Sequence, residues 1–573
     1  MTDRATLERV STGFRGRYLP YEAVAAQLRA WAEAFPTLCS VRSIGTSVDG
    51  RELLVLTIDR EPSRRRPAAW IDGNMHAQEL CGSSVALAIA EDVLALHLGG
   101  TVHGLPAHMA EHLRDVVFHV LPRMCPDGAE AVLGTGQYVR SNPRDRRPHA
   151  RPRWIAKDLD GDGNALVMRK LDPHGELTVS REVPGLLVPR AIEDEGPFYK
   201  VFPEGIVEPW DGHTVPDPHF LSDNDTDLNR NFPFSWMPEP EQEGAGAYPA
   251  SEPESRAVVD FAMAHPEVFA WLNLHTFGGV YIRPLGHQAD NKMDPSDLAV
   301  FRQIAAWGEE HGGYPTVSGY EEFLYEPDKP LHGDLSDFAY HQRGAVAFVC
   351  ELWDLFAQVG LPRKKPFVDM YSHLGRVELE KIAKWDAEHN KGRALRPWKP
   401  FHHPQLGDVE IGGLDPRVGM VNPSYEKLPE VCMKQSAFFL RVAALAPRLT
   451  LTTKTMPVGD GATQVEVTVE NHGYLPTNVL ASAKKLPWNE PVFLDAVPTG
   501  CALVDPAAAH REVGHLAGWG RGAFGSLSAA AFFQRTDGSV STRVLRFVVT
   551  GKGTVRVRAS SPRAGEISTT ITI

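Results

Sequence analysis

Four ionisable side chains close predicted strands, where they could carry out metal-assisted chemistry. His76 and Glu79 lie three residues apart, directly after the apolar segment AAWIDG. His275 closes the segment AWLNLHT, and Glu351 closes AVAFVCEL. Because ligands bind outside the carboxyl ends of the strands in open α/β sheets, we expect the four side chains to meet at one edge. Two histidines and one glutamate, with an open fourth position, are a known catalytic zinc set.

The segments that position these residues alternate between strand and helix patterns. Residues 21–35 are typical of an amphipathic helix, since Val24, Leu28 and Trp31 fall on one face. A second helix is predicted at residues 82–97, behind the strands RELLVLTID and AAWIDG. Further strands are predicted at VVFHVLP, AWLNLHT and AVAFVCEL, with helical segments between them. This alternation predicts an α/β fold, with a mixed, largely parallel sheet covered by helices on both faces.

The last quarter of the chain has a different pattern. From about Leu449, apolar and polar residues alternate in TQVEVTVEN, RVLRFVVTG, GTVRVRAS and STTITI. This period of two, broken by turn residues, predicts a C-terminal antiparallel β-sandwich. We therefore divide the chain into a catalytic domain at residues 1–447, ending in a helix, and a β-sandwich domain at 448–573. An insertion is predicted at about 145–222, where Pro, Asp and Arg are frequent, and we expect it to border the cleft.

Composition excludes several classes of protein. The chain has 573 residues, 43% of them hydrophobic and 23% charged, as in folded globular proteins. Its net charge of −13 is unsuited to nucleic acid or to anionic membranes as partners. The N-terminus lacks the apolar stretch of a secretory signal, and the six cysteines are scattered singly. We expect a cytoplasmic protein with reduced thiols.

Several motifs occur in the order found in one enzyme family. They are SIGTSVDGREL, HAQE, CPDG at 125–128, DLNRNF at 227–232, SEPESRA at 251–257, NLHTFGG and FVCELWD. The chain resembles the zinc carboxypeptidases of the carboxypeptidase A-like family over roughly residues 15–445. The resemblance implies a metallocarboxypeptidase, one zinc ion per chain, and peptide substrates with a free C-terminal carboxylate.

The resemblance assigns roles to the residues at the strand ends. It makes His76, Glu79 and His275 the zinc ligands and Glu351 the general base. Zinc activates water, and a carboxylate that faces the metal can take a proton and pass it to the leaving amine. Glu351 is therefore expected to face the metal without ligating it.

The same resemblance assigns three polar side chains to substrate. Arg140, in YVRSNPR, matches the arginine that stabilises the developing oxyanion, with Arg144 as its rival. Asn229 and Arg230 match the pair that binds the terminal carboxylate, for which a guanidinium offers two parallel hydrogen bonds. This pair favours an exopeptidase.

The tyrosine that closes over substrate in this family is ambiguous here. The segment GYEEFLYEPDKPLHGDLSDFAY contains Tyr325, Tyr320 and Tyr340. We predict Tyr325, with Tyr320 next, because Tyr340 aligns with the start of the following strand. Phe277 stands where family members carry a tyrosine, which removes a hydroxyl group from the site.

An Asp-rich loop inside the insertion resembles a calcium loop. Asp158, Asp160 and Asp162 occupy the first, third and fifth positions of an EF-hand loop, but Arg169 occupies the twelfth, where an EF-hand needs glutamate. A shortened calcium loop, completed by Asp172 or a carbonyl group, is one prediction. An Asp-Gly turn held by side-chain hydrogen bonds is the alternative.

Two other functions fit the sequence. The same site could act on murein peptides or on other amides with a free carboxylate. Alternatively, the β-sandwich could recruit a partner or a polysaccharide beside a vestigial, non-catalytic site. The metal and base residues are all present, which favours an enzyme.

Overall fold

A computed structural model describes residues 3–144, 150–216, 226–326, 329–372, 374–459, 461–520, 527, 531 and 540–573. The strands are β1 (Cys39–Thr46), β2 (Glu52–Ile58), β3 (Ala68–Gly73), β4 (Val117–Leu121), β5 (Arg153–Ala156), β6 (Val167–Leu171), β7 (Leu177–Val179), β8 (Leu187–Pro189), β9 (Phe198–Pro203), β10 (Gly205–Glu208), β11 (Val268–Thr276), β12 (Val280–Arg283), β13 (Thr316–Ser318), β14 (Val346–Leu352), β15 (Leu395–His403), β16 (Gly407–Leu414), β17 (Leu449–Gly459), β18 (Ala462–Asn471), β19 (Val492–Leu503), β20 (His510–Gly514), β21 (Thr542–Ser561) and β22 (Gly565–Thr572).

The helices follow the same chain order. They are α1 (Asp3–Val10), α2 (Tyr21–Ala34), α3 (Cys81–His97), α4 (Ala107–Leu113), α5 (Pro126–Thr135), α6 (Pro253–Ala264), α7 (Pro295–Trp307), α8 (Gly319–Glu322), α9 (Leu335–Asp337), α10 (Leu355–Gln358), α11 (Arg376–His389) and α12 (Leu428–Ala443). Short 3₁₀ turns include Leu228–Arg230, and a π-helical turn at Phe338–Gln342 continues α9.

The central sheet has eight strands in the order β1-β2-β4-β3-β11-β14-β12-β13. Its middle strands β4, β3, β11 and β14 run parallel, whereas β1 pairs antiparallel with β2, β2 with β4, and β12 with β14. The edge strand β13 pairs parallel with β12. The prediction of a mixed, largely parallel sheet is confirmed. Parallel strands align their carboxyl ends, so β3, β11 and β14 deliver their last residues to one edge.

Helices cover both faces of this sheet. In β3, Ala69 and Ile71 join the apolar core that contains α3 and α12. Ala68 and Trp70 point to the opposite face, where they pack in the core that contains α6. Successive side chains of a strand alternate between faces, and every residue of β3 and β11 is buried. The site is therefore built at the rim of a rigid, two-sided core.

The predicted insertion has strands of its own. Residues 145–149 and 217–222 of it lie outside the described residues. Strands β6, β9, β7 and β8 form a sheet with β16 and β15, in the order β15-β16-β6-β9-β7-β8, while β5 pairs with β10. The insertion is thus held to the segment at 395–414 by antiparallel strand pairing.

The C-terminal strands form an antiparallel sheet in the order β17-β18-β21-β19-β20, with β22 also paired to β21. Its core includes Val465, Val467, Val555 and Val557. The predicted antiparallel β domain is confirmed, although its described strands belong to one sheet that shares the 20-residue strand β21. The last catalytic-domain helix, α12, and β17 flank the predicted boundary at residue 447.

A buried arginine joins the two parts of the chain. Arg563 is fully buried, and its guanidinium donates to the carbonyl oxygens of Val268 and Arg343. The guanidinium also lies over the Trp488 ring, 4.9 Å from its centre. Because Val268 begins β11, this contact supports the strand that carries His275.

Two further features concern the cysteines and the helices. All six cysteines are free thiols, and five of them are buried. Among the described residues, no helix combines the length and the apolar character needed to cross a membrane.

Candidate active site

The turn after β3 is shaped to present His76. Asn74 has a left-handed backbone, with φ of 59°, and its side-chain amide donates to the carbonyls of His76 at 2.8 Å and Ala77 at 3.1 Å. A Cβ atom on Gly73 would lie 2.5 Å from the carbonyl of Gly82. The missing side chain therefore lets the strand end pack directly on α3.

Three metal-ligand groups converge at this edge of the sheet. Ligand atoms of His76, Glu79 and His275 all lie within 4.8 Å of one another, and the three residues are buried. His76 Nδ1 is 2.8 Å from Glu79 Oε1, and His275 Nδ1 is 3.0 Å from His76 Nδ1 and from Glu79 Oε2. The structure thus brings together the three residues that the sequence predicts as zinc ligands.

The outer nitrogens of both imidazoles are already occupied. His76 Nε2 is 2.9 Å from Asp227 Oδ1, and His275 Nε2 is 2.6 Å from Asn273 Oδ1. Both acceptors are oxygens, so each Nε2 carries the proton and each Nδ1 keeps its lone pair for a metal. These lone pairs and one carboxylate suit zinc.

Charges around the centre favour its ionised state. Burial alone would raise the pKa of Glu79, but its contacts with the His76 and His275 imidazoles outweigh that effect and hold the pKa below its usual range. Burial would likewise raise the pKa of Asp227, yet the charge of Arg140 and the contact with His76 hold it well below its usual value. Both carboxylates are therefore anionic at neutral pH.

Arg140 lies beside the metal ligands, whereas its rival Arg144 does not. Its Nη1 is 3.4 Å from Glu79 Oε1, and its Nε is 3.1 Å from Asp227 Oδ2. Its carbonyl accepts a 2.8 Å hydrogen bond from Ala77 in the His76 turn. Arg144 instead forms an ion pair with the buried Glu252. The geometry therefore favours Arg140 for the oxyanion role.

Glu351 faces the metal ligands from the adjacent strand. In the parallel register of β11 and β14, His275 pairs with Glu351. Glu351 lines a cavity of about 310 Å³ together with His76, Glu79 and Arg140. Burial and the charge of Glu79 raise the pKa of Glu351, against the opposing charge of Arg140. A carboxyl group of raised pKa at this place is a suitable proton acceptor.

Tyr325 is the tyrosine of the ambiguous segment that lines the cavity, and its side chain is 58% exposed. Tyr340 is buried and donates from its hydroxyl to Asp297 at 2.9 Å. Phe277 and Tyr371 also line the cavity, and the Tyr371 hydroxyl donates to the Phe277 carbonyl. Phe277 has no hydroxyl group, and Tyr371 thus brings one to this part of the site.

The proposed carboxylate-binding pair is buried and is not among the described residues that line the cavity. Asn229 and Arg230 follow Leu228 in the DLNRNF motif and are 9% and 8% exposed. Asn229 Oδ1 accepts a hydrogen bond from the Leu335 amide at 2.9 Å. The Nδ2 group of Asn229 therefore points away from Leu335. Burial raises the pKa of Tyr325, and the charges of Arg140 and Arg230 oppose that rise.

The Asp-rich loop is closed by its own hydrogen bonds and by a lysine. Asp158 accepts from the amides of Gly161 at 2.8 Å and Gly163 at 2.9 Å. Lys399 Nζ is 2.9 Å from Asp160 Oδ2 and 2.7 Å from Asp162 Oδ2. The Asp-Gly turn alternative therefore describes the loop.

The predicted oxygen ligand Asp172 is absent from the described carboxylate group at this loop. That group consists of Asp158, Asp160 and Glu204. Asp172 instead caps the following turn by accepting from the His174 amide at 2.8 Å. Calcium binding at the loop stays a prediction.

The insertion contacts a residue of the cavity wall, Arg417, which belongs to the segment after β16. Arg417 lines the cavity, and its guanidinium contacts Asn164 of the Asp-rich loop, Asp415 and the carbonyl of Leu133 at the end of α5. The loop, α5 and the segment after β16 therefore meet at the rim of the site.

Three functional side chains were not identified from the sequence. Asp227 opens the DLNRNF motif and orients His76. Asn273 precedes His275 by two residues, so the period of a strand places both on one face. Its amide group donates to the buried Asp72. Tyr371 gave no signal, because it lies in a segment without a motif or a clear period.

A comparison with protein families identifies the catalytic part. The family model described as zinc carboxypeptidase matches residues 24–178 and 204–364, which is more than half of the chain. The chain belongs to the zinc carboxypeptidase family. A second model, described as a domain of unknown function, matches residues 449–572. The two matches correspond to the α/β part and to the antiparallel sheet.

Similar proteins include several carboxypeptidases. Carboxypeptidase A4 of Mus musculus is 22% identical over 345 residues, covering 59% of this chain and 63% of the relative. Carboxypeptidase E of Caenorhabditis elegans is 31% identical over 123 residues, covering 21% of this chain and 25% of the relative. The solved carboxypeptidase A from Helicoverpa armigera has a TM-score of 0.43 and 15% identity, with 76% of each chain covered. The chain thus spans less than two thirds of these two sequence relatives.

Proposed function

We propose that the chain is a zinc-dependent metallocarboxypeptidase that hydrolyses the C-terminal peptide bond of peptides with a free carboxylate. One observation carries the proposal. Two imidazole Nδ1 atoms and the Glu79 carboxylate converge within 4.8 Å, beside a cavity that Glu351 and Arg140 also line. Family membership supports a hydrolase of this type.

The proposed substrate contacts follow from the positions of three polar groups. The Arg230 guanidinium and the Asn229 Nδ2 group are suited to the terminal carboxylate, which accepts several hydrogen bonds at once. Tyr325, on the exposed rim of the cavity, is suited to cover the bound residue. A substrate held in this way would place its last peptide bond between Arg140 and Glu351.

The proposed proton transfers use this chain's own side chains. Glu351 takes a proton from the attacking water and gives it to the leaving amine. Arg140, held by Asp227 and Glu79, provides a fixed positive charge for the developing oxyanion. Zinc, when held by His76, Glu79 and His275, supplies Lewis-acid polarisation of the carbonyl group and activation of water.

Three further expectations remain predictions. The cytoplasmic location rests on the sequence alone. Calcium binding at Asp158, Asp160 and Asp162 is supported by the nearby Glu204 and opposed by Lys399. Action on murein peptides would use the same site, and murein peptides therefore belong among the substrates tested.

The variant Glu351→Gln tests the proposed general base. It keeps the shape of the side chain but removes its proton-accepting charge, so we expect kcat for peptide hydrolysis to fall about 10²- to 10⁴-fold. The zinc content of the protein should not change. The matched control is Glu33→Gln, at an exposed position of α2. Full activity in Glu351→Gln with bound zinc would contradict the proposal.

A further inference from the structure

A second group of metal-ligand side chains lies outside the active site. His287, from the segment after β12, meets Asp337 at the end of α9 and His341 in the following π-helical turn. One ligand atom of each lies within 4.8 Å of the others. His287 Nδ1 is 2.5 Å from Asp337 Oδ2. Asp337 and His341 are four residues apart, a spacing that puts both on one side of a helical turn.

One carboxylate and one imidazole nitrogen of this group are buried. Asp337 is fully buried, and it accepts further hydrogen bonds from the Gly286 amide at 3.2 Å. His341 Nε2 is buried and has no hydrogen-bond partner among the described residues. A buried carboxylate beside an unsatisfied imidazole nitrogen is costly unless an ion binds both.

The rings of the group are held in place by one aromatic side chain. Phe234 stacks on His341 with the ring centres 4.0 Å apart and the planes at 11°, and it meets His287 edge-on at 5.3 Å.

Two other clusters of metal-ligand side chains among the described residues already have a basic partner. In the group of His119, His265 and Glu267, the Arg42 guanidinium is 2.5 Å from His265 Nε2. In the group of Asp158, Asp160 and Glu204, Lys399 already neutralises Asp160.

The hydrogen bonds and ion pairs of the group around Asp337 involve no lysine or arginine within the described chain. In its two imidazoles and one buried carboxylate it resembles the active-site group.

We propose that His287, Asp337 and His341 bind a second divalent transition-metal ion, with zinc as the preferred ion and water in the remaining position. Two nitrogens and one carboxylate oxygen are a ligand set that suits zinc. The His287 side chain is 16% exposed, which leaves a path for the ion and for its water. The proposal does not depend on peptidase activity.

The position of this ion indicates a structural role. The segment that carries Asp337 is tied to the proposed carboxylate-binding segment by two hydrogen bonds. The Phe232 amide donates to the Gly333 carbonyl at 2.8 Å, and the Leu335 amide donates to Asn229 Oδ1 at 2.9 Å. The ion would therefore link the segment after β12 to the segment that carries Asp337, which contacts Asn229.

The test measures metal content of the full-length protein by mass spectrometry after equilibration with zinc and desalting. We expect two zinc ions per chain. His341→Phe keeps a ring against Phe234 but removes a ligand, so it should retain one ion. His76→Ala should also retain one, and the double variant should retain none.

The matched control is His97→Phe. Like His341, His97 has a buried ring nitrogen without a hydrogen-bond partner among the described residues, and burial lowers its pKa to about 4. It belongs to none of the described metal-ligand groups. His97→Phe should therefore keep two zinc ions.

A second variant and a second readout guard against misfolding. His287→Gln changes the partly exposed ligand and should also retain one ion, while zinc should raise the Tm of His76→Ala but not of the double variant. One zinc ion in the wild-type protein, or two in His341→Phe, would overturn the proposal. Loss of peptidase activity alone would bear on the active site and not on this one.

Discussion

Asp227 holds His76 in the orientation that a metal ligand needs. Its Oδ1 atom is 2.9 Å from His76 Nε2, while its Oδ2 atom is 3.1 Å from Nε of Arg140. One buried carboxylate therefore fixes both a ligand imidazole and the cation proposed for the oxyanion. The 3₁₀ turn at Leu228–Arg230 begins at this residue, because the Asp227 side chain also accepts from the Asn229 amide at 2.8 Å.

Replacing Asp227 by asparagine should weaken zinc binding. Removal of a carboxylate that orients a ligand histidine typically costs 10- to 100-fold in metal affinity, and we expect a loss of that size for Asp227→Asn. Competition with a chelator of known affinity measures it. Asp408→Asn is the control, because Asp408 forms an exposed pair with His402 at 2.7 Å. Unchanged zinc affinity in Asp227→Asn would contradict the assigned role.

The sequence could predict the elements that carry the zinc ligands but not all of their supports. His275 and Glu351 lie near the ends of buried strands and His76 follows another, and the apolar runs of these strands are visible in the sequence, so their common edge follows from parallel pairing. Arg140 and Asp227 are brought to them by loops. No local period records that approach, because it depends on contacts between distant segments.

The insertion shows the same limit on a larger scale. Strand β6 pairs with β16, with Arg169 opposite Glu410 and their side chains 2.7 Å apart. The two strands are more than 200 residues apart in the chain. Pairing over such a distance depends on the surrounding fold rather than on local propensity, which explains why the insertion had no recognisable elements in the sequence.

Removing Lys399 should expose the latent calcium affinity of the Asp-rich loop. The ammonium group neutralises Asp160 and Asp162, so Lys399→Met leaves two carboxylates without their cation. We expect millimolar calcium to raise the Tm of this variant more than that of the wild-type protein. Lys384→Met is a matched control, since Lys384 is equally exposed and its ion pair among the described residues is with Glu182. Equal calcium shifts in all three proteins would show that the loop does not bind calcium.

Replacement of Arg563 should loosen the contact between the β domain and the catalytic part. Arg563→Met leaves the carbonyls of Val268 and Arg343 without their donor, which costs about 2–4 kcal/mol when such groups stay buried. Urea unfolding measures the change. Arg546→Met removes an exposed arginine paired with Glu466 and should change stability by about 0.5 kcal/mol or less. Equal effects of the two variants would argue against the buried contact.

His97 should make stability depend on pH. Burial, followed by the charges of Arg60, Arg66 and Arg114, lowers its pKa from 6.5 to about 4. Between these values the unfolded chain binds a proton that the folded chain excludes, so stability falls as pH falls from 6.5 to about 4. We expect a contribution of up to about 2 kcal/mol, since the ring is partly exposed.

Urea midpoints at pH 7.5 and 5 measure this contribution. His97→Phe should lose less stability between the two values than the wild-type protein, and a variant of the exposed His402 should behave like the wild type. An identical pH dependence of all three proteins would be incompatible with a buried neutral imidazole at His97.

The most direct test of the central claim is mass spectrometry of a peptide library after incubation with the purified full-length protein. The library contains free and amidated C-termini, includes murein peptides, and is analysed with and without a chelator. We predict that single C-terminal residues are lost from free peptides only, and that the chelator stops this loss. Equal cleavage of amidated peptides, cleavage that persists with the chelator, or no cleavage at all would contradict a zinc carboxypeptidase that binds the terminal carboxylate through Asn229 and Arg230.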